Sequence, residues 1–336
     1  MLKFFIGPVL VTTIALGAAY YWGGLATFGL VVFLAVLEIS LSFDNAVVNA
    51  KALVRMETKW RRRFLTWGMF AAVFGARLVF PVLFVSFALD LAPLKVIFLS
   101  FMNPAEYSHL VESAAPVIQA LGGSFLGMVA LKYFFDEAKR VHWIHIVEKR
   151  LASWGRVQAI EVGIILSILL VCTWIVPEHG AEILGAGAIG IVLFILMEGM
   201  VDLLGASAAR GAKQGFVLFM YLNLIDAAFS FDGVIGAFTL TTDILAIVVG
   251  LGIGAYFVRT FTLVLVERKT LTSLVYLEHG AYWAIAALSI CMFTTLFYNV
   301  PEAIAGTVSA VFIGASYLSS LRHNKANRHH LTSSEA

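Results

Sequence analysis

Charge is scarce in this chain: only 13% of its 336 residues are Asp, Glu, Lys or Arg, while 60% are hydrophobic. Soluble domains carry about 25% charged residues and about 45–50% apolar ones. That deficit excludes a cytosolic enzyme and a nucleic-acid binder. Cysteine is nearly absent too. Cys172 and Cys291 both lie inside apolar runs, with no CxxC pair and no metal-ligand spacing, so a disulfide scaffold and a thiolate metal centre are excluded and both read as small buried hydrophobes. The chain also lacks GxxxxGK[ST], HExxH and Gly-x-Ser-x-Gly, and no intramembrane nucleophile has a His base. This chain therefore carries no nucleotide motor of its own, and a membrane enzyme is a poor reading.

What is present is a series of long apolar runs, and the mean hydropathy is +0.91. Spanning a bilayer takes about 20 apolar residues. The qualifying runs are 4–21, 24–50, 64–89, 119–135, 158–176, 183–206, 214–240, 243–266, 282–298 and 302–320. None alternates apolar and polar residues as a membrane barrel does. The expectation is an all-α membrane protein of about ten transmembrane helices. Run 4–21, preceded by Lys3, resembles a signal peptide. We read it as an uncleaved helix, because it is long and Tyr20, Tyr21 and Trp22 suit an interfacial belt.

The loops orient the runs. Arg55, Lys59 and Arg61–Arg63, then Lys139, Arg140, Lys149, Arg150 and Arg156, then Arg210, Lys213, Arg268 and Lys269, fall on one side with the basic C-terminus. The intervening loops hold acids, with Lys95 as their only cation. Basic loops stay in the cytoplasm, so both termini are expected inside. Residues 90–118 read as an external segment with a short surface helix. Residues 138–157, with Trp143 and Trp154 among basic residues, read as an amphipathic helix on the lipid face. The polar tail 321–336 reads as disordered.

An internal repeat is the most informative feature. Leu37-Glu38-Ile39-Ser40-Leu41-Ser42-Phe43-Asp44-Asn45 lies in run 24–50, and Ile225-Asp226-Ala227-Ala228-Phe229-Ser230-Phe231-Asp232-Gly233 lies in run 214–240. Each copy is followed by a small-residue helix with one arginine: Gly68-x3-Ala72-x4-Arg77 answers Gly250-x3-Gly254-x4-Arg259. Five runs separate the copies, an odd number, so the halves 1–176 and 177–320 are inverted relative to each other. Inverted repeats with polar helices in matching positions are a signature of secondary transporters, whose site lies at the midplane.

The carboxylates in these helices carry the functional reading. A charge at the bilayer centre costs at least about 2.5–3.5 kcal/mol and marks a pathway. Glu38, Asp44, Asp226 and Asp232 would repel one another unless a cation or protons neutralise them. Six residues leave two side chains about 120° apart around a helix axis, so Glu38 and Asp44 share a site only if the helix unwinds between them, and Gly233 makes unwinding plausible in the second copy. Ser42, Asn45 and Ser230, with Asn49 and Asn223 nearby, add hydroxyl and amide oxygens. Such oxygens suit Mg²⁺, Ca²⁺ or Mn²⁺ and argue against Zn or Cu. Arg77 and Arg259 read as partners of the acids in the empty site. Glu198 reads as a candidate proton relay, while Asp202 and Glu161 sit nearer the interface.

Leu37-Glu38-x-x-Leu41-Ser42-x-Asp44-Asn45, Asp226-x-x-Phe229-Ser230-x-Asp232 and the helices bearing Arg77 and Arg259 resemble the TerC family of integral membrane proteins. The resemblance is confined to those four runs. It implies metal binding at Glu38, Asp44, Asn45, Asp226 and Asp232, export of Mn²⁺ as transported substrate with Ca²⁺ as the alternative, and a bacterial inner membrane. Gly233 departs from the family pattern, which more often has a polar residue there. Proton or cation coupling is expected, with no permanently bound cofactor and no nucleic acid. A homo-oligomer stays open. Competing readings are efflux of an organic cation or amino acid and a non-transporting assembly factor.

Overall fold

The computed structural model describes residues 2–54, 56–71, 75, 77, 79–206, 212–268, 270–298 and 300–334. Side chains are also set aside at 2, 3, 65, 69, 70, 202–206, 212–214, 231, 232, 239, 272, 302, 303 and 326–334. Among the described residues the chain is all-helical, with no strand. The first half runs α1 (Leu2–Leu41), α2 (Phe43–Val54), α3 (Thr58–Phe70), α4 (Phe80–Ala88), α5 (Pro93–Met102), α6 (Pro104–Phe134), α7 (His145–Trp154) and α8 (Ile160–Ile175). The second runs α9 (Gly180–Ala206), α10 (Ala212–Leu240), α11 (Ile244–Glu267), α12 (Thr270–Ser273), α13 (Leu277–Thr295) and α14 (Glu302–Ser334).

Six of these helices are long and apolar enough to cross a bilayer, or seven if α4 and α5, bent by 118° to each other, form one broken span. This is the make-up of an integral membrane protein. Among the described residues the apolar runs fall mainly on helices, and some of these helices are short. α4 has 9 residues and α8 has 16. α1 is the opposite case, with 40 residues interrupted at Gly24 (φ 68°, ψ −159°). Only glycine holds that backbone without strain. It divides α1 into 2–23 and 25–41, which matches the boundary between the first two apolar runs.

Two loop segments differ in part from expectation. Within residues 90–118 the short helix α5 is largely exposed, as a surface helix would be, with Leu94, Phe98, Phe101 and Met102 all 60% exposed or more, but the remainder belongs to a long helix with a buried face. α5 folds back after Asp90, and α6 starts at Pro104, where Pro costs no helical hydrogen bond, with Tyr107, Val111, Ala114 and Val117 buried in the main core. α6 is buried all round from Val117 to Ala130, as a central helix must be, and packs against α9 and α13. At the other end, helical backbone continues to Ser334, past residue 321 where a disordered tail was expected. Asn324 Nδ2 donates to Ser273 O at 2.6 Å and so ties its first turn to α12.

The contact that positions the site is α1 against α11. Both helices must come close enough for backbone to face side-chain stem. A Cβ on Gly250 would stand 2.6 Å from Leu34 Cβ, and one on Gly254 would overlap Glu38 Cβ and Cγ. Gly254→Ala should therefore overpack this seam and lower stability by about 1–3 kcal/mol, read as a fall in the thermal unfolding midpoint in detergent. Gly314→Ala, with nothing within 4 Å of the added Cβ, should leave the midpoint unchanged or raise it.

Candidate functional site

The first motif straddles the junction between α1 and α2. The helix bends at Ser42, but Ser42 N still donates to Glu38 O (3.0 Å) and Ala46 N to Ser42 O (3.3 Å). The expected unwinding is thus confined to one residue. In the second copy it does not occur: α10 is continuous through Gly233. In a nonpolar surrounding, freed backbone groups would cost several kcal/mol each, so the ladder is kept. Gly233 supplies room instead, since a Cβ there would stand 3.4 Å from Glu38 Oε2.

The two halves use the same pairing. Arg77 Nη2 donates to Glu38 Oε1 at 2.5 Å, and Ser42 Oγ donates to the same oxygen at 2.8 Å. Arg259 Nη2 donates to Asp226 Oδ2 at 2.7 Å, and Asn49 Nδ2 donates to Asp226 Oδ1 at 2.6 Å. All four charged residues are buried. The leading acid of each motif, Glu38 and Asp226, is thus paired with the arginine of the helix that follows it. Arg259 also reaches across the halves: its Nη1 donates to Phe64 O at 2.6 Å and its guanidinium sits 4.1 Å from the Phe64 ring centre.

These residues enclose a cavity of about 20 Å³, lined by Glu38, Ser42, Asn45, Asn49 and Arg77 from the first half and Asp226, Ala255, Val258, Arg259 and Thr262 from the second. That is room for one water or one dehydrated ion. Several acceptor oxygens around it have no donor. Asn45 Oδ1 and Asn49 Oδ1 are buried and unpartnered, as are Ser230 Oγ on α10 and Asp44 Oδ2. Asp44 is fully buried. Its Oδ1 accepts only the Asn45 N–H (2.9 Å), and among the described residues it has no cationic partner. It does not line the small cavity. The side chain of Asp232 lies outside the described residues.

Among the described residues no three His, Cys, Asp or Glu side chains are grouped closely enough to share a metal ion. What the geometry brings together is two carboxylates, two amides and a hydroxyl, with both arginines in place. Asn223 is drawn away, its Nδ2 donating to Phe219 O at 2.7 Å. Glu198 lies in a different place. It meets Lys132 Nζ at 3.2 Å, and Glu161 is 4.0 Å from the same ammonium. Both acids line a polar cavity of about 560 Å³ that also takes in Val48 and Lys51 of α2 and Tyr221 of α10. Tyr221 is five residues before Asp226, so the large cavity approaches the small one within about 8 Å along α10.

One cluster was not foreseen. Glu148, on the segment read as lipid-facing, is fully buried. It accepts from Lys139 Nζ (3.1 Å), Trp283 Nε1 (3.0 Å) and the backbone N–H of Trp143 (3.2 Å) and Ile144 (3.3 Å), and lies 2.7 Å from His279 Nδ1. This correction has a plain cause. Trp143 packs on Phe312, so the aromatic end of the segment meets protein, while Ile146 and Trp154 stay exposed. No sequence signal marks the cluster, because Glu148 and His279 are joined only by the tertiary fold. Burial alone would raise the Glu148 pKa, but His279, Lys139 and Trp283 outweigh it and hold it down to about 2.

Two predictions follow from these pairs. Removing one partner of a buried ion pair costs about 3–5 kcal/mol because it strands the other charge. Arg77→Gln should therefore destabilise more than the double variant Glu38→Gln/Arg77→Gln, a non-additivity that a double-mutant cycle in thermal unfolding will show. The second concerns acid. A carboxyl whose pKa is lower folded than unfolded stabilises fully above its unfolded value and loses that contribution as pH falls toward its folded value. Thermal stability should thus decline between pH about 4.5 and about 2, and Glu148→Gln should start lower and decline less over that window.

Comparison with known proteins finds no match among curated proteins and none among solved structures. A family model does match, over residues 43–327. The match begins at Phe43, just before Asp44, and takes in Asp226, both arginines and the Glu148 cluster. Its description names no activity. Covering most of the chain, the match makes this protein a member of the family described as "Protein of unknown function (DUF475)".

Proposed function

We propose that the protein is a secondary transporter of a small cation, bound where two inverted five-helix repeats meet. The observation that carries this reading is the small cavity. Five residues of each half line it, each half contributes one acid–arginine pair, and unpartnered oxygens surround it. In this reading the ten apolar segments cross the membrane as five and five, and the basic loops put both termini in the cytoplasm.

The chemistry works as an exchange of partners. Without cargo, Arg77 and Arg259 neutralise Glu38 and Asp226, which keeps four buried charges tolerable. An arriving cation competes with the guanidiniums for the carboxylates and collects the Asn45 and Asn49 amide oxygens that lack donors. Asp44, buried beside Asn45, offers a further carboxyl oxygen that lacks a donor. Oxygen ligands of this kind suit a hard divalent ion. Mn²⁺ as leading cargo, export as the direction and a bacterial inner membrane come from the TerC resemblance. The large cavity, bounded by the segment after α7, serves as the cytoplasmic approach, with Glu198 and Glu161 at its wall.

A second reading has its own support. The large cavity presents ammonium and carboxylate groups together, which suits an amino acid or organic cation better than a bare ion. Flux in proteoliposomes separates the two. Mn²⁺ uptake driven by a proton gradient should be seen with wild type, compete with Ca²⁺ more than with Mg²⁺, and fall at least about tenfold in Asp44→Asn and Asp226→Asn, since each removes over about 1.4 kcal/mol of charge interaction. Absence of Mn²⁺ flux in folded wild type under any ion gradient would sink the metal reading. Flux of an amino acid in its place would support the second.

A further inference from the structure

The helix α3 has one face that the fold uses and one that it does not. Trp60 and Phe64, one turn apart, pack inward on α10, with Trp60 5.7 Å from the Phe216 ring and Phe64 6.3 Å from that of Phe219, and Gly68, one turn further on, faces Arg259 of α11. The opposite face carries Thr58, Lys59, Arg62, Arg63, Thr66 and Trp67, which wall a surface groove of about 470 Å³. Arg61 is employed in folding, its guanidinium donating to Leu53, Val54 and Met56 carbonyls. Lys59, Arg62 and Arg63 form no ion pair among the described residues, and all three are exposed. Arg63 lies over the Trp60 ring at 4.6 Å, which holds its charge on this face. The N-cap residue of α3, Glu57, makes no side-chain cap hydrogen bond, and the three cations outnumber it at this end.

The groove is graded along its length. Its N-terminal end is cationic, and Trp67, eight residues or about 12 Å further on, is 69% exposed. Tryptophan concentrates at the boundary between headgroups and hydrocarbon. Cations at one end and an interfacial aromatic at the other match the two parts of a lipid and not a soluble anion, which has no apolar part for Trp67 to meet. We propose that this groove binds the anionic headgroup of a phospholipid in the leaflet beside the basic loops. The phosphate would sit among Lys59, Arg62 and Arg63, with the acyl chains running past Trp67. The occupant is a lipid because the face adjoins helices that cross the bilayer, whose cytoplasmic surface is negative and attracts basic segments.

Native mass spectrometry of the full-length protein in mild detergent tests this, with phosphatidylglycerol and phosphatidylcholine of identical acyl chains as probes. Wild type should retain phosphatidylglycerol preferentially, and the triple variant Lys59→Gln/Arg62→Gln/Arg63→Gln should lose that preference about tenfold or more. An unchanged thermal unfolding midpoint shows that the variant is folded. Should it not fold, Arg62→Gln and Arg63→Gln singly must each give a partial loss. Equal retention by wild type and variants would overturn the proposal. Displacement of the lipid by millimolar inorganic phosphate would also overturn it, in favour of a soluble-anion site. The outcome is independent of whether the protein transports a cation.

Discussion

Two buried ion pairs, Glu38–Arg77 and Asp226–Arg259, are the constraint on which the central architecture depends. A carboxylate in a low-dielectric interior is too costly to stand alone, and so is a guanidinium. Each therefore dictates where its partner's helix must run. The first pair joins α1 to the segment between α3 and α4, and the second joins α10 to α11. Because Arg259 also donates to Phe64 O, the second pair is tied to the first half, and the two copies of the motif are held around one cavity.

The close seam between α1 and α11 follows from that requirement. Glu38 can reach Arg77 while lying beside α11 only because Gly250 and Gly254 leave its stem space. Opposite this seam, the central α6 is buried throughout its middle and gives the bundle its body. The Glu148 cluster is a third tether. It ties the α7 segment to the start of α13. In each case a buried charge with several donors orients an element whose own apolar contacts would allow sliding.

Much of the site was legible because charge inside an apolar run is conspicuous. Glu38, Asp44, Asp226, Arg77 and Arg259 stand out one by one, and their repetition pairs them. The acid–arginine partnership also followed, since the only cations at that depth were the two arginines. Less legible was the backbone. Gly233 suggested a broken helix, and it instead makes room beside Glu38. Glu198 stood out as a candidate proton relay, but only the fold places it beside Lys132 at the larger cavity. Periodicity places a residue on a face, but which neighbour that face meets depends on helices far away in the chain.

The sequence by itself determined that this is an all-helical membrane protein with a duplicated charged motif, because hydropathy and intramembrane charge are local properties that need no partner to be read. Tertiary structure alone decided that Glu38 and Asp226 border one ion-sized cavity, that the start of α6 packs into the core, and that Glu148 is buried. Those outcomes rest on contacts between residues far apart in the chain. Their energies come from desolvation and pairing, which exist only once the helices are packed.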